Sequence, residues 1–127
     1  MATSQQRVNV RRIYEPPEQT DGTRVLVDRL WPRGVSKERA HLDEWLKDVA
    51  PSNELRQWYG HVPDRFSEFT RRYREEMLDP ARASALQRLR ELSEQGQLTL
   101  LTASKAADIS EAAVLAEVLN ASGSAAS

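Results

Sequence analysis

With 127 residues the chain has the size of one domain, by the prior of roughly 100–200 residues per domain. It holds no cysteine, which excludes a disulfide framework, a thiolate nucleophile and a Cys-ligated zinc. Eighteen basic against nineteen acidic side chains, with a pI near 6.1, differ from a dedicated DNA-binding domain, where a pI above ~9 is usual.

No apolar run approaches the ~20 residues of a membrane span, and Met1 to Gln6 lacks the basic flank and apolar stretch of a secretory signal. A soluble, cytoplasmic domain over residues 7–120 is expected, with polar, flexible tails at 1–6 and 121–127. Fifteen arginines against three lysines favour bidentate grips on phosphate or carboxylate, although surface ion pairs explain such a bias equally simply.

Residues 7–14 place Val8 and Val10 on one face and predict a strand. Pro16, Pro17, Asp21 and Gly22 supply turn chemistry. Residues 24–30 carry Val25, Leu26 and Val27, the continuous apolar run of a strand covered on both faces, and residues 97–102 repeat the pattern with Leu98, Leu100 and Leu101. Residues 41–50 fit a helix through Leu42, Trp45, Leu46 and Val49 and fit a strand as well.

The remaining helices have clearer boundaries. Ser52 is a suitable N-cap for a short helix with Leu55, Trp58 and Tyr59, ending at Gly60. Pro63 opens the next, with Phe66, Phe69, Tyr73 and Met77 at spacings of three and four. Asp79 and Pro80 begin a third, buried through Ala85, Leu86, Leu89 and Leu92. A final helix is expected near Asp108, with Glu111 as its capping-box partner and Ala112, Leu115, Ala116 and Leu119 inward. The order implies a three-layer α/β domain with a mostly parallel sheet of about four strands flanked by helices.

Asp28-Arg29-Leu30-Trp31-Pro32-Arg33-Gly34 follows an apolar strand, and α/β sheets bind ligands beyond the carboxyl ends of their strands. Asp28 is suited to accept from a ribose hydroxyl or act as a base, Arg29 and Arg33 to hold phosphate, and Trp31 to stack. The alternative is an Asp–Arg pair that merely fixes the loop, with Trp31 plugging the core. Thr102-Ala103-Ser104-Lys105, ahead of a helix, offers amides and one cation to an anion, without the glycines or order of a Walker loop. His61 is a candidate acid or base, with a loop-capping role as the alternative. Two histidines without matching acid spacing give no metal motif, and no cofactor is expected. Arg71 and Arg72 fit a solvated helix face paired to Glu75 and Glu76 at i,i+4, with nucleic-acid contact as the sharper reading.

The strings Val25-Leu26-Val27-Asp28-Arg29-Leu30-Trp31-Pro32-Arg33-Gly34, Trp45-Leu46-Lys47, Ala50-Pro51-Ser52, Leu55-Arg56-x-Trp58, Gly60-His61, Phe69-x-x-x-Tyr73 and Leu98-Thr99-Leu100-Leu101 resemble the bacterial "domain of unknown function 488" (YeaO-like) family. The likeness runs from about residue 7 to residue 120. It implies a Rossmann-like layered core with an extended segment around Trp45, and brings no established activity. Some members carry a MarR-type regulator label, yet no winged-helix pattern is read here. After the Leu-Leu strand the family tends to an aromatic, then Arg or Lys with Asp, then His or Asn. Thr102 to Lys105 and Ile109-Ser110 replace that motif, which implies partial loss of whatever it does.

The expected site therefore lies at the strand C-termini. Asp28 and His61 are its catalytic candidates, and Arg29, Trp31, Arg33, Ser52, Ser104 and Lys105 its ligand-binding candidates. The expected partner is an anionic small molecule, a nucleotide or nucleoside phosphate, with hydrolase or transferase chemistry open. A nucleic-acid-binding or regulatory module using the Arg-rich helix is the alternative; no membrane contact is expected.

Overall fold

The computed structural model describes residues 8–125, with side chains through Ala121. The expected tail at 1–6, Arg7 of the expected first strand, and residues 126–127 lie outside the described residues. Four strands, β1 (Val8–Arg12), β2 (Thr23–Leu26), β3 (Glu44–Trp45) and β4 (Leu98–Thr102), form a sheet in the order β1-β4-β2-β3. Every pairing is parallel. The helices are α1 (Lys37–Ala40), α2 (Asn53–Tyr59), α3 (Phe66–Glu76), α4 (Pro80–Gln95) and α5 (Glu111–Ala125), with 3-10 turns between several elements. The expected Rossmann-like α/β domain is what forms.

Strand alternation divides the core between the sheet's two faces. Val8, Val25, Leu98 and Leu100 meet residues of α2 to α5 on one side, including Leu55, Tyr59, Phe69, Tyr73, Leu89 and Leu115. Leu26, Leu101 and Ile13 meet Ala40 of α1 and the half-buried Trp31, Val35, Leu42 and Ala103 on the other. The three layers are therefore unequal: four helices cover one face, while a single turn of helix and a loop cover the other.

The amphipathic spacings fall where expected. Phe69, Tyr73 and Met77, then Ala85, Leu86, Leu89 and Leu92, then Ala112, Leu115, Ala116 and Leu119 are all buried. Ser52 caps α2 by accepting from the Leu55 amide at 3.1 Å, and Gly60 closes that helix.

Four local expectations need correction. The strand expected over 24–30 stops at Leu26; Val27 still donates to Leu101 O, but Leu30 is 68% exposed and pairs with no strand. The 41–50 segment is extended only at Glu44–Trp45 and then coils into a 3-10 turn, Lys47–Val49. α1 has no counterpart in the sequence reading, because one turn carries a single buried residue, Ala40, and hence no periodicity. The last helix starts at Glu111 rather than near Asp108, capped by the Ser110 hydroxyl that accepts from the Ala113 amide, and it continues past residue 120 to Ala125.

Candidate functional site

Because all four strands run parallel, their carboxyl ends share one edge of the sheet, and a cleft of about 300 Å³ opens there. The loop after β2 contributes Asp28 to Pro32, and the loop after β4 contributes Thr102, Ala103 and Ser104. Ala50 and Pro51 precede α2, Arg56 projects from α2, His61 follows it, and Glu111 opens α5. Two further hollows adjoin it, sharing Arg56, His61 and Glu111 on one side and Arg29 and Leu30 on the other.

Asp28 is the best-anchored side chain of the cleft. Its Oδ1 accepts from Thr102 Oγ1 at 2.8 Å and its Oδ2 from the Ala103 amide at 2.7 Å. The Asp28 carbonyl also accepts from the Trp45 indole N–H at 2.8 Å. These bonds tie the loop after β2 to β4 and to β3, so the carboxylate is positioned by the sheet itself.

Glu111 faces Asp28 across the cleft from the wall formed by α5. Burial, first of all, and then the neighbouring Asp28 carboxylate and its charge push the Glu111 carboxyl well above the ordinary carboxylate range, against a backbone amide and the Arg56 charge, which pull it down. The two carboxyl groups thus face each other across the cleft, and their proximity favours the protonated form of Glu111.

The sequence-predicted residues divide by position. Asp28, Arg29, Trp31, His61 and Ser104 line the cleft together. Arg33, Ser52 and Lys105 do not. Arg33 and Lys105 are exposed, and the Arg33 carbonyl accepts from the Tyr14 hydroxyl. Ser52 is occupied structurally: its hydroxyl caps α2 and donates to Glu76 Oε2 at 2.5 Å, while its amide donates to Glu76 Oε1. Glu76 is thereby withdrawn from the expected pair with Arg72, which bonds Glu68 instead at 2.8 Å; Arg71 does reach Glu75, also at 2.8 Å.

The expected anion cradle after β4 is also filled from within. The Ala103 amide serves Asp28, the Ser104 amide serves Thr102 Oγ1, and the Ser104 carbonyl accepts from Arg12 Nε. Trp31 donates its indole N–H to Val35 O at 2.6 Å and meets Trp45 edge-on, with ring centroids 5.4 Å apart, so it both supports the thin face and borders the cleft. His61 holds a left-handed backbone with φ 58° beside the Tyr59 ring.

Sequence reasoning missed Arg56 and Glu111. The signal for Glu111 was present: an acid at the first position of a helix leaving the sheet at the same edge as Asp28. Capping-box spacing from Asp108 drew it away from that edge. Arg29 and Arg56 form no carboxylate ion pair among the described residues; Arg56 donates to Asn53 Oδ1 at 3.2 Å. No group of three or more metal-ligating side chains is found among the described residues, and no helix there is long and apolar enough to cross a membrane.

Comparison with known proteins gives the same lineage as the sequence motifs. A protein of Mycobacterium tuberculosis described as "Uncharacterized protein Rv3073c" is 51% identical over 114 residues, covering 90% of this chain and 94% of its own. "Uncharacterized protein YeaO" of Escherichia coli is 41% identical over 113 residues, covering 88% and 96%. No solved structure matches. The profile of the family described as "Inactive DUF488-N3 subclade" matches residues 7–126, and the chain belongs to that YeaO-like DUF488 family.

Proposed function

We propose that the cleft at the strand C-termini binds an anionic small molecule of the nucleoside phosphate class. One observation carries the reading: two guanidinium groups, Arg29 and Arg56, border a concave, strand-end cleft without a carboxylate ion pair among the described residues. Arginine suits a phosphate through its planar fork of donors. Leu30, Pro32, Ala50 and Pro51 add apolar wall, and pockets for small molecules combine such walls with a few placed polar groups. The proposal is for binding rather than turnover, in keeping with the description of the subclade as inactive. Asp28 supports it as a fixed acceptor, its two oxygens already held by Thr102 and Ala103.

The geometry favours nucleic-acid contact through α3 less. Arg71 is bonded to Glu68 and Glu75, and Arg72 to Glu68 with its guanidinium over the Trp58 ring, so this face is largely charge-compensated.

The test is thermal denaturation with adenosine 5′-monophosphate and with inorganic phosphate. A ligand at a hundred times its Kd stabilises by about 2.7 kcal/mol, a rise of roughly 10 °C for a domain this size. That shift should disappear in the Arg29→Ala, Arg56→Ala double variant. No shift of the wild type at millimolar ligand would overturn the proposal.

A further inference from the structure

The cleft's polar groups are chemically sorted, which bears on the ligand itself. Asp28 has each oxygen fixed by a donor from the end of β4, leaving it an acceptor at the centre of the cleft. Glu111 faces the same cleft from the first turn of α5, a second carboxyl group beside it. The pair still has free lone pairs, and both residues line the cleft. Arg29 enters from the loop after β2 and Arg56 from α2. A bare polyanion would meet the negative charge of the carboxyl pair, whereas a ligand with hydroxyls beside one phosphate would satisfy both kinds of group.

We infer that the Asp28–Glu111 pair recognises the vicinal diol of a ribose, so that the ligand is a ribonucleoside phosphate rather than its deoxy counterpart or a free anion. This rests on the anion-binding reading above and adds the hydroxyl half. Acidic side chains at strand ends of nucleotide-binding α/β sheets accept from ribose hydroxyls for the same reason: a carboxylate is an acceptor-only group with several lone pairs. The cleft volume of about 300 Å³ lies at the small end for ligand sites, which suits a monophosphate.

The experiment is titration calorimetry of the wild type with adenosine 5′-monophosphate, 2′,3′-dideoxyadenosine 5′-monophosphate and inorganic phosphate, repeated on Glu111→Ala and Glu111→Gln. The ribonucleotide should bind the wild type at least tenfold more tightly than the dideoxy compound. Glu111→Ala should reduce that preference below threefold while leaving the dideoxy affinity within twofold. Glu111→Gln, which keeps a hydrogen-bonding side chain of the same length facing the cleft, should keep the preference. Equal affinity of the two nucleotides for the wild type overturns the inference and leaves the anion cleft standing, and this comparison needs no variant to fold. Binding of none of the three compounds removes both.

Discussion

Replacing Asp21 by alanine tests whether the end of the sheet opposite the cleft is held by one buried charge cluster. Asp21 is 3% exposed and Arg24 5%. The Asp21 carboxylate accepts from Arg24 Nη1 at 2.5 Å, from Arg11 Nη1 at 3.0 Å and from the Glu18 amide at 3.0 Å. Its carbonyl accepts from Thr99 Oγ1 of β4, so the cluster also fixes β4 beside β2. Removing the acid strands the Arg24 guanidinium on the carbonyls of Ala40 and His41 alone. Breaking one member of a buried pair costs about 3–5 kcal/mol.

A chain of this size loses roughly 4 °C per kcal/mol, so the expected fall in Tm is about 12–20 °C. Burial pushes the Asp21 carboxyl up, but the Glu18 amide and the Arg24 and Arg11 guanidinium groups outweigh it and hold it below the ordinary value of 3.8. A depressed carboxylate contributes stability that is complete above its unfolded value and is lost as pH falls through the native one. The gap between wild type and Asp21→Ala in urea unfolding should therefore be constant from pH 5 to 7 and narrow below about 3.8. Adding Arg24→Met should recover more than half of the loss. A single-variant loss under about 1 kcal/mol, or a gap that widens in acid, would refute the reasoning.

Other perturbations probe separate links. Tyr73→Phe removes the fully buried hydroxyl that donates to Val49 O at 2.5 Å, and calorimetry should record a loss of about 1–3 kcal/mol. Gly22→Ala would place a Cβ 2.2 Å from Gln97 O at φ +65°, and should cost about 2–4 kcal/mol in urea unfolding. Gly34→Ala, at φ +77° with nothing within 4 Å, should cost only about 1 kcal/mol in the same assay, from backbone strain alone. Glu111 retains its proton in the fold at pH values where the unfolded chain has lost it. Its contribution is thus complete below the unfolded value of 4.5 and declines as pH rises from there through the raised native value. Glu111→Gln should flatten that decline in Tm as pH rises above 4.5; parallel profiles would refute the raised Glu111 carboxyl.

The parts of the fold legible in the sequence are those carried by local periodicity. Phe66, Phe69, Tyr73 and Met77 repeat at helical spacing whatever surrounds them, and Leu98, Leu100 and Leu101 declare a strand covered on both faces. Asp28 was legible too, because an acid directly after such a run lies at a strand end. What stayed hidden depends on distant partners. Nothing near Ser52 announces Glu76, 24 positions on, which occupies its hydroxyl and amide. The loop after β4 read as a free cradle because the groups that fill it, Asp28 and Arg12, come from the ends of other strands. The meeting of Glu111 with Asp28 is set by where α5 starts, and a buried Ser110 cap moved that start three residues past the expected one.

The edge-on Trp31–Trp45 pair makes the molecule its own optical probe. Two indoles with centroids 5.4 Å apart and planes inclined by 69° are close enough for their excited states to mix, giving a near-ultraviolet circular-dichroism band that neither ring has alone. Trp58 lies apart from them, on the helical side beneath Arg65 and Arg72. Any event that reshapes the segment from Asp28 to Val35 must therefore appear as a change in that chiral signal, without a label and before the helices melt.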